Sequence, residues 1–277
     1  MSYTAGIDVG STYTKAVILD RERRIVGRAL ARTGFKLAEA ARSTLDSALQ
    51  QAGLEAEEVQ YTVSTGFGRY QVAFRDANVT DLTAAARGAH LLYPATRTVL
   101  DVGGQTMKAT KLDPAGRVKA FRLNDKCAAG TGAFLEKTAR YMGYSIEEIG
   151  PLAATSKEPV AISGVCAVFA ESEVINHLSQ GCAPADIMHG AIVSLVDRAV
   201  QLMKRVQMEP EFALVGGMLR FETMVRVMRE RLGDGAQVAE GELPQFIGAL
   251  GAALLGQQRV QRLAQAGAPL ARAAGSA

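Results

Sequence analysis

The sequence predicts an α/β protein built from two similar lobes, and an internal repeat is the first reason. The segment Gly6–Leu30 aligns without a gap with Val99–Leu123, and 9 of the 25 aligned positions carry the same residue. The shared positions include Asp8/Asp101, Gly10/Gly103, Lys15/Lys108 and Asp20/Asp113. In each copy, short apolar runs alternate with glycine-rich or charged turns, which is typical of hairpin strands. Helical periodicity follows each copy.

A duplicated unit of three strands, a helix, a strand and a helix predicts two lobes, at residues 1–95 and 96–263. A ligand is expected in the cleft between such lobes. The tail at 264–277 is rich in Ala and Gly and is expected to be disordered. The predicted helices are Lys36–Gly53, Leu82–Tyr93, Thr131–Met142, Ala167–Gln180, Pro184–Val206, Arg220–Leu232 and Pro244–Leu263. Two further strands are predicted at Phe212–Val215 and Gln237–Ala239.

The composition argues against several classes of function. The net charge is +3 over 277 residues, and no block of Lys or Arg is interleaved with aromatic residues, so nucleic acid is not an expected partner. The apolar run Phe246–Gly256 is too short to cross a bilayer, so no membrane partner is expected either. The N-terminus has no secretory apolar segment, which predicts a cytoplasmic protein. There, the three cysteines are more plausibly thiols or metal ligands than a disulfide framework.

Each copy of the repeat places an acid at the end of a strand and glycines in the turn that follows. Glycine lets the backbone approach an oxyanion closely, so the turns are predicted to bind the phosphates of ATP or ADP. The carboxylates of Asp8 and Asp101 are predicted to act in catalysis and to hold a hydrated Mg²⁺. The residues predicted to bind phosphate are Gly10, Ser11, Thr12, Lys15, Gly103 and Gly104. Lys15 is placed to reach a β-phosphate oxygen, and Gln105 to orient an attacking water.

The nucleotide base is assigned to a later motif. Gly216 and Gly217, in LVGGML, follow a predicted strand and let a flat ring lie against the backbone, so adenine is predicted there. The alternative interpretation is a left-handed turn before a helix. The sequence contains neither GxxxxGK[ST] nor GxGxxG, which excludes the P-loop and Rossmann classes.

A cysteine stands at the mouth of a glycine-rich helix start in NDKCAAGTGAFLE, residues 124–136. The backbone N–H groups of a helix N-terminus favour negative charge, so this position suits a metal-bound thiolate at Cys127. Gly130, Thr131 and Gly132 form the same helix start and are also predicted close to the nucleotide. A second cysteine, Cys166, likewise precedes a predicted helix.

Four motifs together resemble one protein family. They are GIDVGSTYTK, DVGGQ, NDKCAAGTGAFLE and, around Cys166, SGVCAVFAESEVI. Over Tyr3–Leu255 the chain resembles the actin/hexokinase/Hsp70 ATPase superfamily, whose fold is a duplicated, ribonuclease H-like α/β unit. Within it, the chain is similar to the BcrAD/BadFG type, which contains activators of 2-hydroxyacyl-CoA dehydratases and ATPase subunits of benzoyl-CoA reductase. The resemblance implies ATP hydrolysis coupled to transfer of a low-potential electron.

The resemblance also implies an iron–sulfur cluster. A [4Fe–4S] cluster normally takes four thiolates, and this chain cannot supply four. Two chains that each give Cys127 and Cys166 can, which predicts a cluster shared across a dimer. Cys182 is interpreted as a small buried residue instead, because it follows Gly181 at a helix end and precedes Pro184 at the next helix start.

Two versions of this function remain open. In the reductase version, the chain pairs with a related ATPase subunit, accepts electrons from reduced ferredoxin and serves benzoyl-CoA reductase catalytic subunits. In the activator version, it forms a homodimer that activates a separate dehydratase. Thr106 stands where the activators usually carry an aspartate, and GGMLRF departs from their common motif, so the chain most resembles the D-type reductase subunit.

Two other classes also stay open. A sugar or carboxylate kinase of the same fold would use Asp101 as a base and need no cluster. A nucleotide-gated binding module would bind ATP without turnover.

Overall fold

The chain forms two compact units in the computed structural model, which describes residues 2–124, 131–163, 167–233 and 235–270. Unit 1 comprises the chain up to Pro94, the short turn Ala115–Val118 and the segment that begins at Phe246. Unit 2 comprises Ala95–Pro114 and Lys119–Gln245. Each unit has its own five-stranded sheet.

The sheet of unit 1 has the strand order β3-β2-β1-β4-β5. β1 pairs antiparallel with β2 and parallel with β4. The nearly continuous burial of β1 and β2 comes from the cover of helices on both sheet faces. The strands are β1 Tyr3–Val9, β2 Tyr13–Leu19, β3 Ile25–Arg32, β4 Val59–Thr65 and β5 Ala77–Asn78.

The sheet of unit 2 repeats this topology. Its order is β10-β9-β6-β7-β8, so its first strand again lies between its second and its fourth. β6 pairs antiparallel with β7 and parallel with β9, as β1 does with β2 and β4. The strands are β6 Thr98–Val102, β7 Met107–Leu112, β8 Val118–Asn124, β9 Phe212–Val215 and β10 Ala236–Val238. The internal repeat in the sequence therefore corresponds to a repeated sheet.

Helices cover both faces of the sheet in unit 1. α1 packs on β2 and β3, and α8 packs on β1 and β4 beside α2. In unit 2 the long helix α6 is the centre of the core, with Met188, Ile192 and Leu195 fully buried among α3, α4 and α7. The helices are α1 Leu37–Ala52, α2 Asp81–Leu92, α3 Gly132–Tyr141, α4 Ile149–Ala154, α5 Ala167–Ser179, α6 Pro184–Arg205, α7 Glu222–Leu232 and α8 Ile247–Gln265. None of these helices is both long enough and apolar enough to cross a membrane.

The last helix corrects the boundary drawn from the sequence. The second lobe was predicted to extend over residues 96–263, but α8 belongs to unit 1. Its small residues allow a close approach to the sheet and to α2: a Cβ at Gly6 would overlap the Ala249 carbonyl oxygen, and one at Gly251 would overlap that of Ala84. α8 also continues to Gln265, past the predicted start of the tail. Residues 271–277 lie outside the described part of the chain.

We expect Gly251→Ala to lower the free energy of unfolding by about 1–3 kcal/mol, because its Cβ would overlap the Ala84 carbonyl oxygen and lie 2.7 Å from the Gly88 nitrogen. This cost exceeds the gain of about 1 kcal/mol in helix propensity. Urea unfolding followed by circular dichroism measures it. Gly235→Ala is the control, because its new Cβ would meet only ordinary contacts at 3.8 Å. Equal stability of the two variants would contradict the close packing of α8.

Candidate functional site

The β1–β2 hairpin of unit 1 carries the first group of predicted site residues. Asp8 and Lys15 are direct cross-strand partners, and Lys15 Nζ lies 3.5 Å from Asp8 Oδ2. The turn closes through a hydrogen bond from the Gly10 N–H to the Tyr13 carbonyl oxygen (3.2 Å). Ser11 is exposed and Thr12 is half-buried in this turn. The hairpin thus brings all five predicted residues of unit 1 together, with Asp8, Gly10 and Lys15 flanking the turn.

Thr33, the residue after β3, holds the turn between β1 and β2 through two hydrogen bonds. The Thr33 hydroxyl donates to the Gly10 carbonyl oxygen (2.8 Å), and the Thr33 N–H donates to the Thr12 carbonyl oxygen (3.0 Å). Both bonds use carbonyl groups of the turn. They fix the backbone of the turn without consuming its N–H donors.

Gly66, which the sequence interpretation missed, lies directly against the Asp8 carboxylate. It follows β4 with φ +86°, and a Cβ there would overlap Asp8 Oδ1 and stand 2.6 Å from the Val9 carbonyl oxygen. The next glycine, Gly68, donates its N–H to that Val9 oxygen (2.9 Å). The position of Asp8 therefore depends on the absence of a side chain at residue 66.

The β6–β7 hairpin of unit 2 repeats this geometry. Asp101 and Lys108 are cross-strand partners, with 3.4 Å between Lys108 Nζ and Asp101 Oδ2. The turn closes through a hydrogen bond from the Gly103 N–H to the Thr106 carbonyl oxygen (2.9 Å). Gln105, at the tip of the turn, is exposed. An exposed amide at this place is compatible with the predicted role of orienting a water.

Gly216 lies against the Asp101 carboxylate in unit 2, as Gly66 lies against the Asp8 carboxylate in unit 1. A Cβ at Gly216 would lie 2.5 Å from Asp101 Oδ1 and 2.5 Å from the Val102 carbonyl oxygen. Its φ of 100° and ψ of 162° lie outside the left-handed helical region and are reached essentially by glycine alone. Gly216 therefore has a positive φ but not the ψ of a left-handed helical turn, and the choice between a simple glycine turn and adenine binding stays a prediction. A Cβ at Gly217 would meet no atom within 4 Å, so its face is open, as the adenine prediction requires.

The start of α3 holds the second hairpin. The N–H of Gly132 donates to the Gly103 carbonyl oxygen (3.0 Å), and the N–H of Ala133 donates to that of Gly104 (2.7 Å). Gly132 also lies close to Gly104, because a Cβ at Gly132 would stand 3.2 Å from the Gly104 Cα. These two N–H donors of the helix start are thus engaged by the turn, whereas the sequence interpretation placed Gly132 close to the nucleotide. The buried Thr131 precedes them as the N-terminal cap residue.

Three predicted residues lie outside the described part of the chain, namely Gly130, Cys127 and Cys166. Within the described residues, no group of three or more His, Cys, Asp or Glu side chains is arranged to hold a metal. Cys182 is described and half-buried, with its sulfur 3.7 Å from His177 Nδ1 in the turn between α5 and α6.

An ion pair joins the two helices that follow the predicted cluster cysteines. Lys137 of α3 lies 2.6 Å from the Glu171 carboxylate of α5. The hydrogen bond to Glu171 raises the pKa of Lys137 above its usual value, so this lysine stays charged throughout the neutral range. The contact ties α3, and through it the turn at Gly103, to α5.

Comparison with known proteins gives the context of this geometry. The sequence profile of the BadF/BadG/BcrA/BcrD ATPase family matches residues 5–256. The chain belongs to this family. Its two-unit structure has a TM-score of 0.89 to the crystal structure of (R)-2-hydroxyglutaryl-CoA dehydratase component A from Acidaminococcus fermentans, at 35% identity, covering 94% of this chain and 100% of that one. The predicted fold class is confirmed.

Curated relatives of this BadF/BadG/BcrA/BcrD ATPase fall on both sides of the choice left open by the sequence. The activator of lactoyl-CoA dehydratase from Anaerotignum propionicum is 40% identical over 260 residues, covering 94% of this chain and 99% of the relative. The D subunit of benzoyl-CoA reductase from Thauera aromatica is 36% identical over 278 residues, covering 96% and 97%. Sequence identity of this size does not separate the two roles.

Proposed function

We propose that this chain is the ATP-hydrolysing electron-transfer component of a benzoyl-CoA reductase-type system. The proposal is carried by the pair of matching hairpins in a member of an ATPase family. Each hairpin has a cross-strand Asp–Lys pair, and in each a glycine lies directly against the aspartate carboxylate. In the reaction, ATP is hydrolysed to ADP and phosphate. Reduced ferredoxin loses one electron, and the catalytic subunits gain it.

The residues of the two hairpins divide the work on ATP. The N–H groups of the turns at Ser11, Thr12 and Gly104 bind phosphate oxygens, and Lys15 offsets the charge of the β-phosphate. Asp8 and Asp101 hold Mg²⁺ through its water ligands, as one or two carboxylates usually do. Gln105 orients the attacking water. Adenine lies on the open face of Gly217.

The cluster is proposed from the chemistry of its donors. Thiolates are the usual ligands of a [4Fe–4S] cluster, and Cys127 and Cys166 of each of two chains together supply four. When bound, the cluster supplies a site for one low-potential electron. α3 and α5, the helices that follow the two cysteines in the sequence, are joined by the ion pair of Lys137 and Glu171.

A homodimeric activator of a 2-hydroxyacyl-CoA dehydratase is the second candidate. Similarity to the lactoyl-CoA dehydratase activator over 94% of this chain supports it. Thr106 and the GGMLRF motif favour the reductase version. A sugar or carboxylate kinase is not supported by these relatives.

The test is anaerobic co-expression with the candidate reductase catalytic subunits and with a related ATPase subunit. A four-protein complex that reduces benzoyl-CoA with ATP and reduced ferredoxin is the expected result. A homodimer that does not bind those subunits but hydrolyses ATP and activates a dehydratase would contradict the reductase version and support the activator version. Absence of ATP hydrolysis in either setting would contradict both.

We expect Cys127→Ser or Cys166→Ser to lower the iron and sulfide content of protein purified without air, and by at least half where the chain pairs with itself. Each change removes two of the four ligands in such a homodimer and one of the four in a pair with a related subunit. Cys182→Ser is the matched control and is expected to keep the full iron content. Iron and acid-labile sulfide are measured per dimer, together with the visible absorbance of the cluster. Full iron in both ligand variants would overturn the cluster assignment.

A further inference from the structure

The two hairpins share a lysine as well as an acid, and the second lysine has no role in the scheme above. Lys15 and Lys108 occupy equivalent cross-strand positions, and the side chains of both are 15% exposed. Their distances to the paired carboxylates are 3.5 and 3.4 Å. The agreement extends to orientation, because in both hairpins the lysine faces Oδ2 of the acid.

The second oxygen of each carboxylate faces a glycine. Asp101 Oδ1 lies against Gly216, and Asp8 Oδ1 lies against Gly66. The plane of the Asp101 carboxylate is therefore set from two sides, by the backbone at Gly216 on Oδ1 and by the ammonium of Lys108 on Oδ2. Removal of the ammonium leaves the backbone at Gly216 in place but takes away the Lys108 contact on Oδ2.

A second lysine on the same strand, Lys111, provides a comparison for the ion pair of Lys108. Lys111 of β7 is also 15% exposed, and its Nζ lies 2.6 Å from Glu209. Strong charge-assisted hydrogen bonds measure about 2.7–2.9 Å, so the 3.4 Å contact of Lys108 is a looser one. The two lysines are equally exposed, but the Lys108 pair is the longer of the two and its carboxylate is the less exposed one, 21% for Asp101 against 52% for Glu209.

We infer that Lys108 is a positioning residue for ATP hydrolysis, which holds the Asp101 carboxylate in its working orientation; the inference rests on the proposed function. Lys108 acts through Asp101, since its ammonium contacts Oδ2. Orientation of a catalytic group matters most in the transition state, so loss of Lys108 lowers kcat and not ATP affinity.

The experiment compares Lys108→Met with Lys111→Met in anaerobically purified protein. We expect Lys108→Met to lower kcat about 10- to 100-fold, with KM for ATP unchanged within about threefold. Lys111→Met is expected to retain kcat. Lys108→Arg, which keeps the charge, is expected to recover part of the loss. Denaturant midpoints of the two methionine variants are compared to separate orientation from folding.

The kcat of a double variant distinguishes a lysine that acts through Asp101 from one that only stabilises the fold. If Lys108 works through Asp101, then Asp101→Asn/Lys108→Met is no slower than Asp101→Asn alone, because effects within one unit are not additive. Multiplying effects, or a rise in KM with unchanged kcat, would overturn the inference, and so would equal losses in Lys108→Met and Lys111→Met. Those outcomes leave the proposed function intact. A wild-type protein without ATP hydrolysis would contradict the proposed function and the role of Lys108 with it.

Discussion

Asp101→Asn is expected to reduce kcat for ATP hydrolysis by about 100- to 10,000-fold, the range observed when a catalytic acid or base is lost. The amide has the size of the carboxylate, so the packing against Gly216 stays the same. What is lost is the negative charge that holds Mg²⁺ through its waters and the acceptor next to Lys108. Release of phosphate under steady-state conditions measures the effect. Asp8→Asn, in the equivalent position of unit 1, is expected to behave in the same way.

Asp113→Asn is the matched control for this prediction. Asp113 belongs to the same hairpin of unit 2 and is half-buried, but it lies at the opposite end of β7 from the glycine turn. It is expected to keep kcat within about twofold, as surface changes away from a site usually do. If Asp101→Asn kept more than a tenth of the wild-type rate, neither the metal role nor the catalytic role of Asp101 would stand.

Gly66→Ala is expected to have the second large effect, on stability and on ATP hydrolysis together. The left-handed backbone at φ +86° costs a residue with a Cβ about 1–2 kcal/mol. Overlap with Asp8 Oδ1 and with the Val9 carbonyl oxygen adds about 1–3 kcal/mol of overpacking. Relief of that overlap has to move the Asp8 carboxylate. We therefore expect loss of about 2–5 kcal/mol in the free energy of unfolding and at least tenfold loss of kcat.

Gly34→Ala isolates the backbone part of this effect. Gly34 lies in the same unit with φ +59°, and a Cβ there would meet no atom within 4 Å. Gly34→Ala is expected to lower the free energy of unfolding by only about 1–2 kcal/mol and to keep the wild-type rate of ATP hydrolysis. Urea unfolding and phosphate release are measured for both variants. Identical losses in the two would show that Gly66 serves only the backbone turn and not the Asp8 carboxylate.

The hairpins could be predicted from the sequence because their information is local. Strand alternation, the glycine turns and the paired acids recur at a constant offset, so one gapless alignment of Gly6–Leu30 with Val99–Leu123 located both half-sites. The predicted helices are likewise confirmed, with ends that differ from the structure by one or two residues in most cases. Periodicity does not resolve the short 3-10 turns Gly217–Arg220 and Leu243–Phe246, and the helices predicted to begin at Arg220 and Pro244 took in the last residue of the first turn and most of the second.

Gly66 escaped the sequence interpretation because the repeat stops aligning before it. One α-helix stands between β3 and β4, whereas the described residues between β8 and β9 form four, so no gapless comparison extends from one copy to the other. The signal that was available is the glycine after an apolar strand, in VSTG at residues 63–66 and LVGG at residues 214–217. A search for this pattern after each repeat would have found both Gly66 and Gly216.

Placement of α8 depends on packing between distant parts of the chain, which spacing alone does not reveal. The helix contacts β1, the first strand, through Gly6. Its glycines at 248, 251 and 256 indicate a helix that approaches backbone closely, but not which backbone. The predicted residues Cys127, Cys166 and Gly130 lie outside the described part of the chain, so their roles stay predictions.

The packing of α8 against β1 has a consequence for folding during translation. While the ribosome is still translating, unit 1 has all of its strands but lacks the layer that covers one side of them, because residues 247–265 are made last. Unit 2, whose segments end at Gln245, is complete before that moment. Unit 1 therefore matures after unit 2, and the nascent chain carries an uncovered apolar sheet until residues 247–265 have left the ribosome.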